Sequence, residues 1–406
     1  MNTQALCIDC EKRLDHLHKK ELITKEAKQL LENPERIVQA ELPLRRDDGT
    51  LEMLKAFRIQ HSTKRGPAKG GIRFHEEVDP SEVAALAFVM SLKTALLDLP
   101  YGGGKGGVQF NPKEYSKAEI EQVARLYMRA FSDVLGVHKD VPAPDVNTTP
   151  EIMGWMRDEY AQITGTDQPG IITGKPVAEG GSEGRGTATA MGAYFILKER
   201  FADRDSQEVS VAIQGFGNAG AILADLLYKD GFKVVAVSDS RGATYNKSGL
   251  DIDAVTKHKL ERNPISEFAG GAMISNEELL ALEVDLLVPA ALGDAITTEN
   301  VTDVKAPVII EVANGPVTTG AEHVLDDRNV EIIPDLLANA GGVTVSYFEW
   351  FQNVHGERWS EDEVNEKLKE MITESYHQTK DMAQKHQVSL RDAAYKIAIE
   401  RIIKSS

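Results

Sequence analysis

Two patterns of apolar residues divide the chain near residue 180. Before it, Ile120, Val123, Tyr127, Phe131 and Val134 recur at helical spacing. Ser116 precedes this run with Glu119 three residues on, a capping-box signature that predicts a helix start. Thr149-Pro150-Glu151 predicts another start with proline in the first turn, and Ile152, Trp155, Met156 and Ile163 follow on one face. The most apolar stretch, Val83–Leu99, contains Ser91, Lys93, Thr94 and Asp98, so it predicts a buried helix rather than a membrane span. This region mixes helices with short strands.

From about Gly181 the pattern becomes one of short branched apolar runs separated by helices. Strands are predicted at Val209–Ile213, Val234–Val237, Leu286–Pro289, Val308–Val312 and Val330–Ile333, with a helix over Ala219–Asp230 stopped by Gly231. That alternation implies a parallel sheet covered on both faces. Beyond about Ser360 the chain is rich in Glu, Lys and Gln at helical spacing. The fold class expected is α/β, with two domains separated by a cleft. Residues 1–180 with 345–406 form one domain, and residues 181–344 form a Rossmann-like dinucleotide-binding domain.

Composition narrows the partners. The net charge of −17 argues against nucleic acid, which needs clustered positive charge. No basic region followed by an apolar run opens the chain, so no signal peptide is expected. The two cysteines, Cys7 and Cys10, form a C-x-x-C without a second ligand pair at zinc-site spacing; they read as ordinary thiols in a reducing compartment, with redox or metal chemistry the lesser alternative. No metal site is expected.

One motif for phosphate stands out. Gly215-Phe216-Gly217-Asn218-Ala219-Gly220 follows a predicted strand, opens a helix, and is followed by a second strand ending in Asp239, 19 residues beyond Gly220. Gly215 permits the turn, Gly217 admits the pyrophosphate, and Gly220 lets helix and strand pack, while the helix N-terminus offers free N–H groups. Asp239 favours a ribose hydroxyl and hence NAD, whereas Ser240 and Arg241 favour the 2′-phosphate of NADP; NAD is slightly preferred. Neither Lys105 nor Lys175 is followed by Ser or Thr, so a P-loop is excluded.

The first region holds three lysines in unusual company. Lys69 stands in Lys69-Gly70-Gly71-Ile72-Arg73-Phe74, Lys93 lies inside the apolar helix, and Lys105 is enclosed by glycines from Gly102 to Gly107. Lysine is rarely buried without a partner, and glycines let a backbone or ligand approach. These residues point to an anion pocket; surface lysines with buried stems are the plainer alternative. Val141-Pro142-Ala143-Pro144-Asp145 is a rigid segment presenting one carboxylate, or a simple turn aspartate.

The motifs KGGIRF, GGGKGG, PAPDVNT, TGKP with GGSEGR, GFGNAG, VANGP and NAGGVTVSYFEW occur in that order between about Pro43 and Asn353. In this set the chain resembles the glutamate/leucine/phenylalanine/valine dehydrogenase superfamily, and within it the shorter bacterial–archaeal glutamate-specific branch. The resemblance implies reversible oxidative deamination of L-glutamate to 2-oxoglutarate and ammonium with NAD or NADP. It implies Lys105 and Asp145 as catalytic residues. Lys69 and Ser346 would hold the side-chain carboxylate and Lys93 the α-carboxylate, with Met90 and Pro144 also lining the substrate site. Thr189, Gly215, Phe216, Gly217, Asn218, Gly220, Asp239, Ser240, Asn314 and Asn339 would contact the cofactor. A base role for Lys105 requires a neutral amine, which burial and cationic neighbours such as Lys69 and Lys93 favour. The resemblance further implies a cytoplasmic homohexamer built through the N-terminal domains. A sister dehydrogenase for leucine, valine or phenylalanine is the nearest alternative, and it would place apolar residues at 69 and 346. A different Rossmann enzyme, such as a folate or malate oxidoreductase, is a second, against which GGGKGG and PAPD argue, and a non-catalytic regulatory relative is a third.

Overall fold

The computed structural model describes residues 8–405. They form two compact units, each with its own sheet. The first comprises residues up to Arg185, Val343–Val364 and Tyr395 onward; the second comprises Gly186–Gly342 and Asn365–Ala394. The sequence places residues 345–406 as one block with the first domain, whereas within these units the segment Asn365–Ala394 is grouped with the second. The architecture is mixed α/β with two sheets, as the hydrophobic patterns imply.

The first sheet has the order β1-β2-β4-β3-β5, where β1 is Arg36–Arg45, β2 Leu51–Ser62, β3 Ala68–Phe74, β4 Gly103–Val108 and β5 Asp140–Pro144. The first two strands form a long antiparallel hairpin rather than the short strands expected, and β3 runs parallel to both β4 and β5. The helix Pro80–Leu96 covers one face. It comes so close that a Cβ on Gly103 would fall 2.1 Å from the Ser91 backbone nitrogen, which explains the glycine run in β4. Asp79 caps that helix by accepting from the Ser81 and Glu82 amides. The helix Lys117–Phe131 packs on the opposite face, its Tyr127 hydroxyl donating to the Phe57 carbonyl at 3.0 Å. Its predicted capping box is formed, and Thr149 caps the helix Pro150–Thr164.

The second sheet has the order β12-β11-β10-β6-β7-β8-β9. Its strands are β6 Ser210–Gln214, β7 Lys233–Asp239, β8 Gly242–Tyr245, β9 Ala272–Ile274, β10 Leu286–Pro289, β11 Val308–Ile310 and β12 Glu331–Ile333. The five predicted strands pair in parallel, and β8 and β9 extend the sheet with antiparallel pairing. Val211, Ala212, Ile213, Leu286, Leu287 and Val288 are fully buried, as expected of strands covered on both faces. The helix Asn218–Lys229 ends at Asp230, with Gly231 left-handed beyond it.

Cys10 is disulfide-bonded, so the expectation of an ordinary thiol does not hold for it. Cys7 lies outside the described residues. Among the described residues no helix is long and apolar enough to cross a membrane, and no cluster of His, Cys, Asp and Glu is arranged to hold a metal ion.

Candidate active site

The site in the first unit is assembled on the sheet face beneath the helix Pro80–Leu96. Since Ile72 pairs with Gly106 in parallel register, Lys69 and Arg73 of β3 and Lys105 of β4 share one face. Gly103 lies on that face too, and the helix packs there. Lys69 is 1% exposed, and Lys93 and Lys105 are each 7% exposed. Surface lysines are therefore excluded.

Lys69 donates to the Thr173 hydroxyl at 2.8 Å and to the Val141 and Pro142 carbonyls at 3.2 and 3.3 Å. All three partners are neutral oxygens. Burial pushes its ammonium well below the ordinary lysine range; Arg58 and Arg185 add to this, and Glu349 and Asp140 oppose it. Buried Arg58 bonds to Asp140, with Nε 2.8 Å from Oδ2, and joins β2 to β5 beneath this lysine.

Lys105 Nζ lies 2.8 Å from Asp145 Oδ2. Its nearest charged partner is thus an anion rather than the cations the sequence suggested. Asp145 directly follows β5, where its amide donates to Thr148 Oγ1 at 2.7 Å. Burial pushes its carboxyl up, but Lys105 and Arg73 outweigh that and hold it below the usual carboxylate range. Arg73 Nε donates to the same oxygen at 3.1 Å.

The segment Thr173-Gly174-Lys175 closes over Pro144. Thr173 donates its amide to the Pro142 carbonyl at 3.0 Å, and left-handed Gly174 sits against the Pro144 ring. Glu349 fixes this segment by accepting from the Gly174 amide at 2.8 Å and the Lys175 ammonium at 2.6 Å, the latter a fully buried pair. Glu349 lies on the helix Gly341–His355 one turn beyond Ser346, which is 2% exposed and accepts from Arg185 Nε at 3.2 Å. Met90 lies beside Gly70, on the helix that carries Lys93. Lys69, Met90, Lys93, Lys105, Pro144, Asp145 and Ser346 all fall within the first unit.

Three further groups join them that sequence reasoning did not single out: Thr173, Arg185 and Arg73. Each stands inside a quoted motif, TGKP, GGSEGR or KGGIRF. Their importance lies in partners far along the chain.

The second unit holds the candidate dinucleotide cradle. Gly215 is left-handed, and a Cβ on Gly220 would fall 1.9 Å from the Gly215 carbonyl oxygen, so neither position accepts a side chain. A Cβ on Gly217 would meet nothing within 4 Å, and Gly217 caps the helix Asn218–Lys229 without any side-chain cap bond. That combination of an open approach and an uncapped helix start suits a pyrophosphate, so the residues present fit a dinucleotide. Phe216 is buried, and the Gly215 amide donates to Ser238 Oγ at 3.2 Å. Asn218 donates to the Gly186 carbonyl at 2.9 Å. Asn339 donates to Asn314 at 2.9 Å, and Thr189 lies in the first turn of the helix Ala188–Arg200. Asp239 ends β7, where it bonds the Lys259 ammonium and accepts from the Arg241 amide at 2.8 Å. Burial pushes its carboxyl up, and these partners more than offset that. Ser240 is exposed beside it.

Comparison with known proteins accords with both halves. Residues 34–162 match the Glu/Leu/Phe/Val dehydrogenase dimerisation domain, and residues 180–406 match the Glutamate/Leucine/Phenylalanine/Valine dehydrogenase family. The chain belongs to the Glu/Leu/Phe/Val dehydrogenase family. Among relatives in this family, the NADP-specific glutamate dehydrogenase of Synechocystis is 45% identical, covering 98% of this chain and 96% of that protein. The NAD-specific glutamate dehydrogenase of Staphylococcus aureus is also 45% identical, covering 92% and 90%. The hetero-hexameric glutamate dehydrogenase of Thermus thermophilus, solved in a Leu-bound form, superposes with a TM-score of 0.90 at 33% identity over 97% of this chain and 94% of that one.

Proposed function

We propose that this member of the Glu/Leu/Phe/Val dehydrogenase family is a glutamate dehydrogenase, oxidatively deaminating L-glutamate to 2-oxoglutarate and ammonium with NAD or NADP. The observation that carries the reading is Lys69: a fully buried ammonium whose protein partners are neutral oxygens. A buried cation without a carboxylate partner is costly, and a substrate carboxylate offsets that cost. An apolar amino acid leaves it uncompensated, and sites of that polar kind discriminate by about 10⁴–10⁵-fold.

In this reading Lys69 and Ser346 hold the side-chain carboxylate, with Arg185 adding a guanidinium beside Ser346. Lys93 takes the α-carboxylate, and Met90 and Pro144 line the substrate's flanks. When bound, the dinucleotide accepts the hydride that leaves Cα. The chain's own task is proton traffic. Asp145 removes and returns protons at the substrate nitrogen, and Lys105 takes the proton of the water that attacks the imine carbon. Gly215, Phe216, Gly217, Asn218 and Gly220 cradle the pyrophosphate, Asp239 and Ser240 face the adenine ribose, and Thr189, Asn314 and Asn339 serve the nicotinamide side. The ionised Asp239 favours NAD slightly. Lys259 and Arg241 temper that preference, and the two relatives at equal identity differ in cofactor.

We place the enzyme in the cytoplasm as a homohexamer joined through its first units; light scattering that reports a monomer contradicts this. The long edge strand β1 and exposed Leu51 and Met53 on the adjoining β2 support such an interface. An initial-rate assay with glutamate and leucine, each against NAD⁺ and NADP⁺, tests the activity. Glutamate-dependent reduction is expected; a preference for leucine, or no reduction, overturns it.

A further inference from the structure

Asp145 is held by more than its lysine. Its Oδ2 lies 2.8 Å from Lys105 Nζ and 3.1 Å from Arg73 Nε. Arg73 projects from β3 onto the face that carries Lys105, and its other end bonds Glu82 in the first turn of the helix Pro80–Leu96. A Cβ on Gly71 would fall 2.8 Å from the Asp145 Cβ, so the bare backbone there lets the aspartate lie against β3. The charges that face Asp145 are therefore Lys105 from β4 and Arg73 from β3, with Glu82 acting through Arg73. The four groups alternate in sign: Glu82, Arg73, Asp145, Lys105.

We propose that Arg73 is a positioning residue: it keeps Asp145 ionised and aimed at Lys105 when the lysine gives up its proton, with Glu82 at its far end partly offsetting its charge. The inference rests on the catalytic reading of Lys105 and Asp145 given above. Its physical basis is the order of proton transfers. A lysine acting as base must be neutral at one stage. A partly buried aspartate that then faced a neutral amine would lose its counter-charge and take up the proton itself. Guanidinium does not titrate in the working range, so Arg73 supplies a cation that stays. The depressed carboxyl of Asp145, to which Arg73 contributes, agrees with this.

The test is the pH profile of kcat for Arg73→Gln, Arg73→Lys and Glu82→Gln beside Asp145→Asn. Loss of a nearby cation favours every protonated form of the pair. In Arg73→Gln the acid limb therefore moves up by about one pH unit, a roughly tenfold loss at a fixed pH on that limb. KM for glutamate changes by less than about threefold, because the loss falls on the chemical step. Arg73→Lys keeps the charge and returns the limb toward the wild-type position. Glu82→Gln removes an anion and moves it down. An Arg73→Gln limb at the wild-type position, or a uniform loss at every pH that lysine does not rescue, overturns the proposal. If Arg73→Gln does not fold, Glu82→Gln decides: a limb that stays or rises counts against it. Asp145→Asn separates the two levels. Should that variant keep full turnover, the catalytic reading falls and this proposal with it; should it be inactive while the Arg73→Gln limb stays, only the proposal falls.

Discussion

The two units put chemistry on the chain in different ways. In the first, the candidate site is built from side-chain charge: three buried lysines, an aspartate and two arginines arranged on and around a glycine-rich sheet face. In the second, it is built from backbone: an uncapped helix start, an open approach at Gly217, and a carboxylate at the end of β7. The contrast follows from the ligands each unit suits. A dinucleotide pyrophosphate is read by amide N–H groups and a helix dipole, which need only glycine to come close. A small amino acid with two carboxylates needs point charges at defined places, and burying them requires networks that neutralise or stabilise each one.

Substitutions can break this contrast at several points. The largest effect belongs to the charge network: Lys105→Ala or Asp145→Asn lowers kcat by about 10²–10⁴-fold, the usual worth of a positioned acid or base. Near-normal turnover in either variant removes that residue from the chemistry. Selectivity comes next. Lys69→Leu with Ser346→Val lowers the glutamate-to-leucine ratio of kcat/KM by about 10³-fold or more, and an unchanged ratio defeats the pocket assignment. In the second unit the effects are smaller and differ in kind. Gly217→Ala leaves thermal stability within about 0.5 kcal/mol of wild type, since its Cβ meets nothing in the protein. The same substitution weakens dinucleotide binding by about tenfold or more, because the space is the ligand's. Calorimetry with NADH on a folded variant reads both, and unaltered affinity places the pyrophosphate elsewhere. The smallest change is expected at the ribose. Asp239→Ser frees Lys259 and Arg241 for a 2′-phosphate and raises the NADP-to-NAD ratio of kcat/KM by about tenfold; a ratio that falls or holds contradicts the role given to Asp239.

The same contrast governs what the sequence reveals. The second unit was largely legible because its determinants are local. Branched apolar runs define the five parallel strands, and the glycine spacing with Asp239 beyond it falls within one strand–helix–strand unit. What escaped there were β8 and β9, strands of only four and three residues whose pairing is antiparallel, too short to show a period of their own. In the first unit the lysines were visible by their improbable setting, but their partners were not. Thr173 lies 104 residues from Lys69, Ser346 lies 161 from Arg185, and Glu349 lies 174 from Lys175. No local pattern joins residues so far apart. The β1–β2 hairpin was hidden for another reason: its outer positions carry charged residues and exposed Leu51 and Met53, which blurs the alternation of a half-buried strand. Cys10 shows the same limit, since cysteine spacing alone did not reveal its bonded state.

The most direct test of where the chemistry resides is a single-turnover experiment on Asp145→Asn, since that carboxylate takes the proton of the substrate nitrogen before the hydride leaves. The variant is saturated with glutamate and NAD⁺ and followed by stopped-flow absorbance, with glutamate affinity measured separately by calorimetry. The account predicts glutamate binding within about tenfold of wild type, because Lys69, Lys93 and Ser346 remain, together with no fast rise of NADH. A rise at close to the wild-type rate would show that the charge network of the first unit does not carry the reaction.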